Sequence, residues 1–126
     1  MRFSRIKMSY RSQNLFGTMK KRTGGITPNI LARFSLCLSL KDPSVPNPEE
    51  FDEKGSEISP SVLFGEYEDI FRILMIQRLK TDKLPLDSEM LNKMLKAHLN
   101  RGTIALFARI HELSDFHEMI KVERSN

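Results

Sequence analysis

The residues of this chain best suited to do chemistry are cations. Arg2, Arg5, Lys7, Arg11, Lys20, Lys21, Arg22, Arg33 and Lys41 all fall within the first 41 positions, and that stretch holds no Asp or Glu. It therefore carries +9, whereas the eleven basic and sixteen acidic residues of positions 42 to 126 give −5, leaving a net +4. Cations gathered without counter-charges repel one another, and an anionic partner relieves that repulsion. A run of phosphates suits the pattern: each Lys or Arg that neutralises one releases a condensed counterion, a source of affinity that ignores base sequence.

Other reactive side chains are sparse. The single cysteine, Cys37, cannot form an internal disulfide or complete a thiolate zinc site, and on an apolar stripe it reads as a small core residue. His98 lies on the apolar side of its predicted helix, and none of His98, His111 and His117 forms a zinc spacing with a thiol, so no metal is expected. In "FGEYED", Glu66, Glu68 and Asp69 crowd together in a way that suits Mg²⁺, but no second group of acids converges with them. Acids at a helix start also simply favour its dipole. There is no phosphate loop, no nucleotide fingerprint and no nucleophile–base set, so the chain is expected to be no enzyme and to need no cofactor.

The elements that must position the cations can be read from periodicity. In "FSRIKMS", Ile6 and Met8 alternate with Arg5, Lys7 and Ser9, the pattern of a short strand with one buried face. Ser9 offers an N-cap oxygen to a helix carrying Ser12, Phe16 and Met19 on one face, with Leu15 beside them. Gly17 weakens that helix by about 1 kcal/mol relative to alanine. "RTGG" ends it, through a left-handed Gly24 or Gly25. Thr27 and Pro28 open a second helix with a predicted inner stripe of Ile30, Leu31, Phe34, Cys37 and Leu38, stopped by "KDPSVPNP". Free N–H groups at its start, near Thr27, Asn29 and Ile30, form a phosphate seat.

Positions 42 to 61, rich in Pro, Ser and acid, read as a long surface loop. One helix is predicted within "SVLFGEYEDIFRILMIQRLKTDKL" (61–84), with Leu63, Phe64, Tyr67, Ile70, Phe71, Leu74, Met75 and Leu79 covering over half its circumference; such a helix is central or buried in an oligomer. Another opens at Asp87 or Ser88, turns Met90, Leu91, Met94, Leu95, His98 and Leu99 inward, and closes at Gly102. "TIALFARIHELSDFHEMIK" supplies the last, broken near Ser114. The expectation is a mainly α chain, one domain over 1–126, made of a basic strand-helix-helix unit (1–41), an acidic loop (42–61) and a helical half (62–126). With 40% hydrophobic and 29% charged residues it is too apolar for disorder and too interrupted by charge for a membrane span. "MRFSRIKMSYRSQ" lacks the apolar core of a secretory leader, which points to the cytoplasm.

The opening unit resembles the ribbon-helix-helix DNA-binding fold, in which two chains pair their strands into a ribbon that enters the major groove. That resemblance puts Arg5 and Lys7 on the outer face. More specifically, "RTGGITPNILARFSLCLSL", "FGEY" and "HLNRG", in this order and separation, resemble the DndE family of bacterial DNA phosphorothioation systems, from about Arg5 to about Leu106. The chain departs from that family at Asn100, where "HLHRG" is usual, and at Gly17. The resemblance implies a non-catalytic, DNA-binding accessory subunit. It further implies a homotetramer whose basic surfaces hold double-stranded DNA with a preference for nicked duplex, and partner proteins of the phosphorothioation complex that do the sulfur chemistry. The expected DNA contacts are Arg5, Lys7, Arg11, Lys20, Lys21 and Arg22, with Thr27 and Asn29 at the second helix; Arg33 either joins them or pairs with an acid. The alternatives are a ribbon-helix-helix repressor or antitoxin, for which the helical second half is superfluous, and a scaffold whose acidic half docks a basic protein.

Overall fold

Ser9 decides where the first helix begins. In the computed structural model of the chain, which describes residues 1–111, 115 and 117–121, its backbone is extended and its hydroxyl accepts from the Ser12 N–H at 3.0 Å. Before it, strand β1 (Ile6–Lys7) buries Ile6 and Met8 and exposes Arg5 and Lys7, as alternation requires. Ser9 itself is buried rather than facing water, because its oxygen is the cap. After it, helix α1 (Tyr10–Arg22) buries Ser12, Phe16 and Met19 and ends at Thr23, with Gly24 and Gly25 at φ +73° and +112°. Helix α2 (Pro28–Lys41) starts with Thr27 as cap residue and Pro28 at its first position.

The buried face of α2 differs from the predicted stripe. Leu31, Ala32, Ser35, Leu36 and Ser39 are inside, whereas Ile30 and Cys37 are exposed and Phe34 and Leu38 half-buried. The cause lies in helix α5 (Ser88–Arg109), which does not close at Gly102 but runs through it for 22 residues. A Cβ at Gly102 would overlap the Ser35 carbonyl, so the two backbones touch there and α2 must present its small residues to the crossing. This α2–α5 packing is the most extensive in the fold.

The helix predicted within 61–84 is broken. Helix α3 (Pro60–Phe64) ends at Gly65, whose φ of +55° no helix tolerates; a 3₁₀ turn (Gly65–Tyr67) follows, and helix α4 (Glu68–Thr81) starts with Glu68 and Asp69 in its first turn. Phe71, Met75 and Leu79 are buried, but Ile70, Ile73 and Leu74 face solvent, so α4 lies at the surface of the chain rather than at its centre. The break near Ser114 falls outside the described residues. The architecture is mainly helical, and no described helix is long and apolar enough to cross a membrane.

The acidic segment is structured rather than a plain loop. It contains a 3₁₀ turn (Pro48–Glu50) and strand β2 (Glu57–Ile58), which pairs antiparallel with β1 in the register Ile6↔Ile58 and Lys7↔Glu57. Here the structure departs from the ribbon arrangement, since β1 takes its partner from its own chain. Its flanks are also occupied by α5: Ser88 Oγ accepts from the Arg2 N–H at 3.1 Å, Asn92 Oδ1 from the Ser4 N–H at 2.8 Å, and Asn100 Oδ1 from the Ser9 N–H at 3.1 Å. With the Arg2, Ser4, Met8 and Ser9 N–H groups satisfied inside the chain, this segment has less to offer a second strand.

Candidate nucleic-acid interface

Apart from the half-buried Arg33, the cations of the strand-helix-helix unit are exposed, and the fold distributes them over several surfaces. Arg5, just before β1, and Lys7, on it, line one cleft with Lys93 and Lys96 of α5. Arg11, in the first turn of α1, lines a second cavity with Arg101, Glu50 and Asp52. Lys20, Lys21 and Arg22 occupy the last turn of α1, where cations complement the helix dipole. Lys21 borders a third groove with Asn14, Thr18 and Pro28, and the Arg22 guanidinium lies 4.9 Å over the Phe107 ring of α5.

At the start of α2, Thr27 is exposed and makes no side-chain capping bond, and Asn29 is half-buried. The seat is smaller than its sequence suggests, because the Ile30 and Leu31 N–H groups both donate to the Thr27 carbonyl at 3.1 Å. Arg33 finds no acid among the described residues: its Nε donates to the Leu63 carbonyl at 2.6 Å and its guanidinium lies 5.7 Å over the Tyr67 ring. It ties α2 to the α3–α4 corner.

Acids do reach the cationic strand. Glu57 stands 3.5 Å from Arg5, Glu53 3.0 Å from Lys96 and Glu49 4.0 Å from Lys93. Asp52 accepts from the Tyr10 N–H at 3.0 Å and the Lys54 N–H at 2.8 Å, hydrogen bonds that hold its carboxyl below the usual range.

Two arginines of the second half have a structural task. Arg78 donates to the Leu40 carbonyl at 3.1 Å, the Ser44 carbonyl at 2.6 Å and the Asp82 carboxylate at 2.8 Å; Arg101 donates to Ser39 Oγ at 2.9 Å and the Ser39 carbonyl at 2.8 Å. They cap the C-terminal carbonyls of α2. Buried among them, His98 meets Ser39 Oγ through Nδ1 at 2.8 Å, and its Nε2 has no partner among the described residues. Burial, reinforced by the Arg78 and Arg101 charges, lowers its pKa from 6.5 to about 3, so it is neutral at physiological pH. Burial likewise lowers the pKa of Arg101, and the Ser44 hydroxyl and N–H lower that of Asp42. Among the described residues no group of His, Cys, Asp and Glu is arranged to hold a metal.

Comparison with known proteins places this arrangement. A profile described as DNA sulphur modification protein DndE matches residues 5–114. The chain belongs to the DndE family. The fold of this family member is similar to the crystal structure of DndE from Escherichia coli B7A involved in DNA phosphorothioation modification, with a TM-score of 0.70 and 25% identity over 84% of this chain and 98% of that one. It is also similar to a glycine-to-lysine double mutant of DndE involved in DNA phosphorothioation, with a TM-score of 0.65 and 22% identity over 84% of this chain and 99% of that one. Comparison with the curated proteins finds no match.

Sequence reasoning missed three residues at this surface. Lys93 and Lys96 were hidden in the acidic two thirds, and Asn100 had no assigned role. Yet Ser88, Asn92, Lys96 and Asn100 recur every four residues, a polar row on one face of α5, and that row meets residues 2–9. Asn100 is its buried end: Oδ1 also accepts from Ser12 Oγ at 2.6 Å, and Nδ2 donates to the Lys96 carbonyl at 2.9 Å.

Proposed function

We propose that this DndE-family protein is a non-catalytic, single-domain accessory subunit of a DNA phosphorothioation machinery, and that it holds duplex DNA, nicked or intact, while partner proteins carry out the sulfur chemistry. The observation that carries this reading is the exposure of Arg5, Lys7, Arg11, Lys20, Lys21 and Arg22 on one strand-helix-helix unit that contains no acid of its own. Exposed cations on several faces contact phosphates rather than base edges, so affinity is general rather than sequence-specific. Thr27 and Asn29, at the start of α2, add backbone and side-chain donors.

The exposed face of α4 supports self-association into a homotetramer. Ile70 and Ile73 are 56% and 65% exposed, and Leu74, Tyr67 and Val62 extend the apolar surface. Clustered exposed apolar groups of this kind mark interaction sites. The pairing of β1 with β2 of the same chain weighs against the repressor alternative, which needs that strand for a ribbon between chains.

The test is fluorescence anisotropy with a labelled random duplex over a range of salt. Log affinity is expected to fall linearly with log salt, at a slope of about −0.9 per phosphate neutralised. Replacing Lys20, Lys21 and Arg22 by alanine should weaken binding to all sequences and reduce the slope by up to about 2.7. Salt-insensitive binding refutes the reading, and a strong preference for one palindromic site favours a repressor.

A further inference from the structure

We propose that the cleft between β1 and α5 is a second phosphate-binding surface for the DNA backbone, and that Glu49, Glu53 and Glu57 occupy its cations when DNA is absent. The inference rests on the DNA-binding reading above. The cleft, about 360 Å³ in volume, brings Arg5 and Lys7 of the strand together with Lys93 and Lys96 of the helix, and Glu53 and Glu89 also line it. Its cations come from both ends of the sequence and meet only in the fold.

Three acids at four-residue intervals serve three of these cations. Glu57 pairs with Arg5, Glu53 with Lys96 and Glu49 with Lys93, at 3.5, 3.0 and 4.0 Å. Lys7 stands opposite Glu57 in the β1–β2 register. The segment that carries the acids is pinned by its backbone: the Gly55 N–H donates to the Met8 carbonyl at 2.8 Å and the Met8 N–H to the Ser56 carbonyl at 3.0 Å. A Cβ at Gly55 would stand 2.6 Å from the Met8 and Ser9 carbonyl oxygens, so glycine is what lets the segment lie this close.

The acids are therefore delivered to the rim of the cleft at fixed places, while their carboxylates remain mobile. The side chains of Glu49, Glu53 and Glu57 are 81, 61 and 43% exposed. The Glu49–Lys93 and Glu57–Arg5 pairs, open to water on both sides, are weak and screened by salt, whereas Glu53–Lys96, whose lysine is 15% exposed, is more sheltered. A duplex presents a dense row of phosphates and gains counterion release on contact, which a lone carboxylate does not. DNA can thus displace the three carboxylates by side-chain rotation, with no movement of the backbone. The segment acts as an internal competitor that sets how tightly, and at what salt, the cleft engages DNA.

The experiment compares duplex binding by the full-length wild type, E49Q/E53Q/E57Q, a control E66Q/E68Q/E118Q, and E49Q/E53Q/E57Q combined with K93Q/K96Q. The control makes the same change of charge at acids that do not line the cleft. Glutamine keeps the aliphatic stems, and thermal melting confirms that each variant is folded. At about 100 mM salt E49Q/E53Q/E57Q is expected to bind roughly tenfold tighter than wild type, with a salt slope steeper by up to about 2.7. The control should gain much less, and K93Q/K96Q should remove the larger part of the gain, leaving only the share that Glu57 exerts on Arg5. An equal gain in the control, no gain at all, or a gain undiminished by K93Q/K96Q overturns the masked cleft and leaves the DNA-binding reading standing. Absence of DNA binding by wild type and by every variant overturns that reading, and the cleft with it.

Discussion

The same substitution should move stability in opposite directions at Gly17 and Gly102, although both lie inside helices. At Gly17 nothing stands within 4 Å of where a Cβ would be, so Gly17→Ala gains only the helix preference of alanine, about 1 kcal/mol. At Gly102 the new methyl group overlaps the Ser35 carbonyl, a backbone atom that no rotamer change removes. Helix α2 must move off α5, loosening the contacts of Leu31 and Leu36, both fully buried. Overpacking of this kind costs about 3 kcal/mol at the upper end of its usual range. Less the alanine preference, the net loss is about 2 kcal/mol. Unfolding entropy near 2.1 cal/mol/K per residue gives a chain of this size a shift of roughly 4 °C per kcal/mol. Gly17→Ala should therefore melt about 4 °C higher than wild type and Gly102→Ala about 8 °C lower, by calorimetry or by circular dichroism at 222 nm. If Gly102→Ala melts at or above the wild-type temperature, α2 and α5 do not approach as closely as argued, and the account of the buried face of α2 fails with them.

Asn100→Ala should destabilise by about 2 to 4 kcal/mol in urea, because it leaves the buried Ser9 N–H and Ser12 hydroxyl without their shared acceptor. His98 should make the protein acid-sensitive before its carboxylates titrate. Its folded-state pKa of about 3 lies below the ordinary 6.5, so stability is full above pH 6.5 and falls as the pH drops toward 3. From pH 7.5 to pH 5 the expected loss is about 2 kcal/mol, at 1.4 kcal/mol per pH unit below the ordinary value. Urea titrations at the two pH values measure it, and His98→Leu should abolish most of the difference; an equal loss in that variant excludes His98 as the cause.

Where a signal acts within a few residues, it was legible in the sequence. Ser9, the Thr27–Pro28 pair and Asp87 start α1, α2 and α5, as expected of a side-chain oxygen or a preset proline φ at those points. The alternation around Ile6 and Met8, and the inner face of α1, followed from periods of two and 3.6. Glycines were harder, because one residue type serves three purposes. Gly24 ends α1 and Gly65 breaks the helix predicted within 61–84, both through positive φ, whereas Gly102 ends nothing and only admits a neighbouring backbone. Which purpose applies depends on what lies alongside. The inner face of α2 was misjudged for the same reason: apolar periodicity favoured Phe34 and Cys37, while the contact at Gly102 selected Ala32, Ser35 and Ser39.

Taken by itself, the sequence determined the first two helices, the start of α5, the short leading strand, the separation of charge between the first 41 residues and the rest, and, through its motifs, the family. Caps, turns and side-chain periods act over a few bonds, so a linear chain already contains them. The tertiary structure alone decided which cations stand open and which meet an acid. Arg5 and Glu57 are far apart in the chain but 3.5 Å apart in space, as are Glu53 and Lys96 at 3.0 Å. Coulomb energy depends on that spatial separation and on exposure to water, and neither exists until the strands pair and α5 packs against them.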